Sequence, residues 1–161
     1  MADTAAAATP NRPPRGIFSA RVDEKGRLKL PADLREYILR LGEKTVFITS
    51  LDLLIARIYT NSTWEFNQKI LDECKEDPET AEDVAFTAND VGADSDLDEQ
   101  GRVLIPQELR RLLSIESQPV WLECLPGVIN IYSKAVYEER KKRAGEGRAD
   151  KVRRLREKGL K

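Results

Sequence analysis

One stretch of thirteen residues occurs twice in this chain. Residues 23 to 35 read Asp-Glu-Lys-Gly-Arg-Leu-Lys-Leu-Pro-Ala-Asp-Leu-Arg, and residues 98 to 110 read Asp-Glu-Gln-Gly-Arg-Val-Leu-Ile-Pro-Gln-Glu-Leu-Arg. Seven of the thirteen positions are identical, and the pairs Leu28/Val103 and Leu30/Ile105 are apolar in both copies. An internal repeat limits the possible folds before any local reading does. Two copies are too few for a solenoid. The expectation is a duplicated module whose halves pair around a pseudo-two-fold axis.

Each copy carries the same local instructions. Asp23 and Asp98 are short acceptors that can bond a backbone N–H two residues on, and Gly26 and Gly101 supply the positive φ that closes such a turn. Beyond the first turn, Arg27 and Lys29 alternate with Leu28 and Leu30, the pattern of a half-buried strand. Pro31 and Pro106 suit the first turn of a helix, where the missing N–H would have no partner. Leu34, Ile38 and Leu41 then recur at helical spacing until Gly42 stops the run.

The flanking segments repeat as well. A strand is expected over 16–22, a strand pair over 45–50 and 53–59 around Leu51-Asp52, and a helix capped by Asn61 or Ser62 running to Cys74. Trp64, Ile70 and Leu71 are its candidate apolar contacts. The second half matches with strands over 119–125 and 128–132 around Pro126-Gly127. A helix capped by Ser133 follows, is interrupted at Gly145 and Gly147, and resumes over 150–158. Between the halves, Pro78-Glu79-Thr80 can start a helix through Ala88, leaving 89–96 as a loop or irregular strand. The fold class is therefore α+β, β-rich, with two pseudo-symmetric modules and flanking helices. Along the chain this divides into a disordered leader (1–15), a first module (16–74), an acidic connecting segment (75–93), a second module (94–140) and a basic tail (141–161).

Charge and composition narrow the function. The net charge of −1 hides a strong asymmetry: residues 72–99 hold 12 acids against one Lys, while residues 134–161 hold 12 bases against five acids. That distribution says more about partners than the total does. The chain has no His, which removes the commonest general base and metal ligand. Cys74 and Cys124 lie far apart without a partner motif, and Asp94-Ser95-Asp96-Leu97-Asp98 lacks the Gly and terminal Glu of a calcium loop. No nucleophile motif or phosphate loop is present, so no catalytic residue, metal or cofactor is expected. No apolar run approaches the roughly 20 residues that span a bilayer, and the expected location is the cytoplasm.

Asp-x-x-Gly-Arg, a short strand, Pro and then Leu-Arg on a helix resembles the AbrB-like swapped-hairpin module. Two such modules in one chain resemble the MraZ family, over roughly residues 16 to 140. The resemblance implies a double-psi-barrel-like core and a DNA-binding transcriptional regulator associated with the nucleoid. It also implies a homo-oligomer, in the form of a ring, that meets double-stranded DNA at tandem repeats in the promoter of a division and cell-wall gene cluster. Neither a membrane nor a small-molecule substrate is implied. The matching candidate DNA contacts are Lys25, Arg27 and Arg102, with Lys29 behind them. Gln100 and Leu104 replace Lys25 and Lys29 in the second copy, which is therefore expected to bind less and pack more. Tyr137 stands where the family's tryptophan is expected.

The residues leave alternatives open. Arg27 and Arg102 can pair with Asp23 and Asp98 across their turns, bind DNA, or do both. Arg35 and Arg110 fit a structural bridge to a neighbouring acid or carbonyl better than a DNA contact. Asp23, Gly26, Pro31, Asp98, Gly101 and Pro106 are backbone devices. The basic tail fits a solvated helix, an arm for DNA, or a partner for a neighbour's acidic segment. A protein-interaction scaffold, like the antitoxin relatives of the module, is the competing function.

Overall fold

The computed structural model describes residues 11–161; most of the expected leader, residues 1–10, lies outside them. The first repeat comprises β1 (Ile17–Arg21), β2 (Arg27–Lys29), α1 (Ala32–Arg40), β3 (Thr45–Thr49), β4 (Ala56–Thr60) and α2 (Asn61–Asp72). A connecting helix α3 (Pro78–Val91) leads to β5 (Ala93–Asp96), β6 (Arg102–Leu104), α4 (Gln107–Leu112), β7 (Pro119–Leu125), β8 (Val128–Tyr132) and α5 (Lys134–Gly145). A final helix, α6, covers Arg148–Glu157. The architecture is mixed α+β, with every strand pair antiparallel.

Six strands form one sheet in the order β1-β7-β8-β4-β3-β5, and β2 and β6 form a separate two-stranded ribbon. Exchanging each strand for its counterpart in the other repeat (β1 with β5, β3 with β7, β4 with β8) leaves that order unchanged. The pseudo-two-fold axis therefore passes between β4 and β8, where Arg57 faces Asn130. It also passes through the ribbon, where Leu28 faces its own counterpart Val103. The repeats exchange their first strands: β1 lies on β7 of the second repeat, and β5 lies on β3 of the first.

The core sits between the sheet, the ribbon and the two short helices. Leu28, Val103, Leu34, Leu109, Ile38, Ile48, Ile58, Ile105, Leu122 and Ile129 are all at most 1% exposed. A ribbon of three residues per strand has too few hydrogen bonds to stand alone. Burial of Leu28 and Val103 against the helices holds it in place. Tyr37 adds a longer tie: from α1 its hydroxyl accepts a hydrogen bond from Gly127 N at 3.1 Å, in the β7–β8 turn.

Several elements depart from the sequence expectation for local reasons. Pro31 and Pro106 occupy the cap position itself, with extended ψ of 148° and 138°, so the helices begin one residue later. The β3–β4 connection is longer than a tight turn. Asp52 Oδ1 accepts from Leu54 N and Ile55 N, which curls residues 51–55 into a loop and holds Leu53 at a φ of +57°. Thr60, not Asn61 or Ser62, caps α2, because its side chain accepts from Thr63 N. Helix α3 starts at Pro78 as expected but runs on to Val91, since Ala81, Ala88 and Val91 give it a continuous buried face. Residues 93–96 are a regular strand because β3 offers an open edge. Of the three apolar contacts expected on α2, Trp64 packs on Phe47 and Tyr59, but Ile70 is 55% exposed.

Leu28→Ala should lower the unfolding free energy by about 2–5 kcal/mol, because it opens a cavity at the centre of the ribbon. Leu104→Ala, on the ribbon's outer face, should change it by less than about 0.5 kcal/mol. Urea denaturation of the two variants measures both.

Candidate nucleic-acid interface

The two turns are built from the same bonds. Asp23 Oδ1 accepts from Lys25 N at 2.9 Å and Arg27 N at 2.8 Å, and Asp98 Oδ1 accepts from Gln100 N and Arg102 N at the same distances. The second carboxylate oxygen pairs with the arginine that follows: Arg27 Nε to Asp23 Oδ2 is 3.0 Å, and Arg102 Nε to Asp98 Oδ2 is 2.8 Å. Gly26 and Gly101 close the turns with φ of +84° and +77°. Each Asp thus organises the turn and fixes the rotamer of its Arg.

The backbone and side chains of each repeat then lock the other. Leu30 N donates to Gly101 O at 2.9 Å, and Ile105 N donates to Gly26 O at 3.0 Å. Arg35 from the first helix crosses to the second turn, where Nη2 donates to Glu99 O at 2.7 Å; its Cδ lies 2.8 Å from where a Cβ on Gly101 would stand. Arg110 crosses the other way, over Gly26, and donates through Nη1 to Ile105 O, with Glu116 3.9 Å from its Nε. The two glycines therefore have a second use: they leave room for an arginine from the opposite repeat. Sequence reading saw a positive φ there but not the crossing arginine, which no local pattern encodes.

This bracing presents one outward face. In the ribbon, Leu28 and Val103 point inward, so Arg27, Lys29, Arg102 and Leu104 point out, with Arg27 opposite Leu104 and Lys29 opposite Arg102. Lys25 is exposed at the tip of the first turn, and Gln100 occupies the equivalent tip. All four candidate contacts named from sequence thus lie on one ribbon and its turn. Like charges directly opposite one another destabilise a strand pair, and Lys29 and Arg102 are so placed. The Nε of Arg102 is engaged by Asp98, which leaves the two Nη groups on the outer edge. Leu104 is 53% exposed, so it does not do the packing expected of the more apolar second copy.

The repeat continues in an aromatic cluster behind the sheet. Phe47, Tyr59 and Trp64 meet with ring centroids 4.7 and 5.0 Å apart, and Trp121, Tyr132 and Tyr137 occupy the corresponding places at 4.8 and 6.3 Å. Tyr137 fills the position of Trp64 and stacks on Trp121 with an interplanar angle of 10°. These six aromatic residues pack on one another, and none lies on the ribbon. Among the described residues no group of His, Cys, Asp and Glu could hold a metal ion, and no helix is long and apolar enough to cross a membrane.

No family model matches the chain. It is similar to the transcriptional regulator MraZ of Acidobacterium capsulatum, at 38% identity over 106 residues, covering 66% of this chain and 73% of that protein. The chain belongs to the MraZ family. The MraZ proteins of Anaeromyxobacter sp. strain Fw109-5 (32% identity, 76% of this chain and 85% of that one) and Caldanaerobacter subterraneus (35%, 77% and 83%) are similar over more of its length. A solution structure of PHS018 from Pyrococcus horikoshii has 20% identity over 73% of this chain and 91% of that one, with a TM-score of 0.33, too loose a likeness to inform the fold. The MraZ relatives carry the name of transcriptional regulators, and none is named as an enzyme.

Both turn carboxylates are held below their ordinary value of 3.8, chiefly by the backbone N–H of Arg27 or Arg102, with the guanidinium adding to it. A depressed carboxylate stabilises the fold above its unfolded pKa, and that contribution is lost as pH falls through the folded value. The stability of the protein should therefore drop on acidification below 3.8. Asp23→Asn/Asp98→Asn should flatten that drop, because the amide keeps an acceptor but does not titrate. Denaturation midpoints taken from about pH 5 to pH 2 test it; an unchanged slope in the double variant would refute the assignment.

Proposed function

We propose that the chain is a sequence-specific, DNA-binding transcriptional regulator, and that the outer face of the β2–β6 ribbon is its DNA contact. The reading rests on one observation above the others: Lys29 and Arg102 stand opposite each other on an exposed face with Arg27 and Lys25 beside them. Asp23 and Asp98 offset part of the charge of Arg27 and Arg102, which leaves Lys25, Lys29 and the Nη edges of the two arginines to meet a polyanion. A two-stranded ribbon fits the width of the major groove. Arg27 and Arg102, each fixed by its turn carboxylate, present a planar pair of N–H groups suited to guanine O6/N7 or to phosphate. Lys25 and Lys29 are flexible point charges suited to phosphate positioning.

The exchanged first strands and the palindromic sheet order support reading the chain as two fused AbrB-like swapped-hairpin modules, residues 16–74 and 94–140, around a double-psi-barrel-like core. Four cations per protomer give only modest affinity, since salt dependence grows by about 0.9 log units per phosphate neutralised. Specific binding then requires several protomers on successive repeats. This supports a homo-oligomer, in ring form, on tandem promoter repeats of a division and cell-wall gene cluster, with the protein at the nucleoid. The second reading, a protein-interaction scaffold, is favoured by one detail, the exposed Leu104 on the same face.

Arg27→Ala/Lys29→Ala/Arg102→Ala should weaken binding to a tandem-repeat promoter by about 100-fold or more, and should flatten the salt dependence by about 2–3 log units per log salt. Fluorescence anisotropy against promoter and random DNA at several salt concentrations measures both. Unchanged affinity in the triple variant would remove the ribbon as the site. Wild-type binding that ignores both sequence and salt would favour the scaffold.

A further inference from the structure

The charge asymmetry of the chain sits on two surfaces that its own fold leaves apart. Helices α2 and α3 lie side by side and hold five of the 12 acids of the 72–99 segment, Asp72, Glu79, Glu82, Asp83 and Asp90. On the outer side of α3, away from Ala81, Ala88 and Val91, Phe86 is 72% exposed. Phe86 shares a helix face with Glu79, Glu82, Asp83 and Asp90, at spacings of three, four and seven residues. An exposed aromatic ringed by acids has no use in the chain's own core.

The opposite surface is α6. It has no more than passing contact with any other element of its own chain, beyond a bond from Lys151 Nζ to Arg143 O at the end of α5. Val152 and Leu155 fall on one face, with Leu155 51% exposed in a hollow formed with Lys151, Arg154 and Lys158. The helix is therefore amphipathic, basic and without a partner. Isolated helices of ten residues are marginal in water, so α6 calls for a surface to lie on.

We propose that α6 of one protomer docks on the outer face of α3 of a second copy of this chain, with Leu155 against Phe86 and the surrounding bases meeting Glu79, Glu82, Asp83 and Asp90. DNA is the less fitting occupant of α6. Arg153 and Arg154 are already tied to Asp150, and Arg153 also to Glu157, which leaves fewer cations for phosphate. A duplex also offers nothing to Val152 and Leu155. The contact joins two different surfaces, so it is head-to-tail, and repetition of it closes a ring or extends a filament. It would also neutralise acids that otherwise repel DNA. The inference rests on the homo-oligomer reading above and names its interface.

Charge reversal in trans tests it on the full chain. Arg156→Glu/Lys158→Glu, on α6, and Glu82→Lys/Asp83→Lys, on α3, should each weaken self-association by about tenfold or more in sedimentation velocity near physiological salt. An equimolar mixture of the two should reassemble, because each reversed surface then finds its complement. Normal assembly of the α6 variant overturns the proposal whether or not the α3 variant folds. If the α6 variant assembles normally but loses DNA affinity, the proposal falls and α6 is a nucleic-acid arm. Weakened assembly that the mixture does not restore also overturns the pairing of these two surfaces. A ribbon variant that assembles but releases promoter DNA keeps the two sites separate. A wild-type chain that stays monomeric overturns both this interface and the oligomeric reading.

Discussion

The structure depends on a reciprocal exchange of bonds at two turns. Gly26 and Gly101 each offer a carbonyl to the other repeat's strand, and Arg35 and Arg110 each reach across to the opposite turn. Arg35 bonds the second turn from α1, while Arg110 from α4 covers Gly26 of the first turn and bonds Ile105 O of its own repeat. A hairpin of this size would be marginal by itself, yet here it is the most constrained part of the molecule. Rigidity at the ribbon is what a recognition surface requires, since side chains ordered beforehand lose less entropy on binding.

The same arrangement lets one arginine hold its turn and still present a free edge. Asp23 uses one oxygen for two backbone N–H groups and the other for the Arg27 Nε. The guanidinium is thereby held in one orientation while keeping its outer edge. An exposed ion pair of this kind adds little to stability. Its value lies in orientation, and the matching geometry at Asp98 and Arg102 shows that the second repeat retains it although Gln100 and Leu104 have replaced two lysines.

Local structure was largely legible in the sequence because its determinants are local. Asp, Gly and Pro at fixed offsets mark the turns and helix starts, and the β7–β8 hairpin around Pro126-Gly127 falls where the alternation places it. The loop at 51–55 was missed because Asp52 bonds two backbone groups that hydrophobicity does not report. At 89–96 the sequence leaves loop and irregular strand open, because Ala93-Asp94-Ser95-Asp96 has poor strand propensity and is a strand by pairing with β3. The four candidate contacts could be named from the repeat. Their convergence on one face could not, because it depends on β2 meeting β6 some 75 residues away. The crossing of Arg35 and Arg110 is tertiary in the same way.

The exchanged first strands have a consequence for how the molecule comes into being. Among the described residues strand β1 pairs with β7 alone, with Ile17 opposite Glu123, so the pairing closes a loop of more than a hundred residues. Contacts that distant slow folding. During synthesis the first repeat emerges with the outer edge of its β3 uncovered until β5 is made, and β1 unpaired until β7 follows. The protein cannot mature half at a time: its nascent first repeat is an open edge waiting for a sequence the ribosome has not yet read.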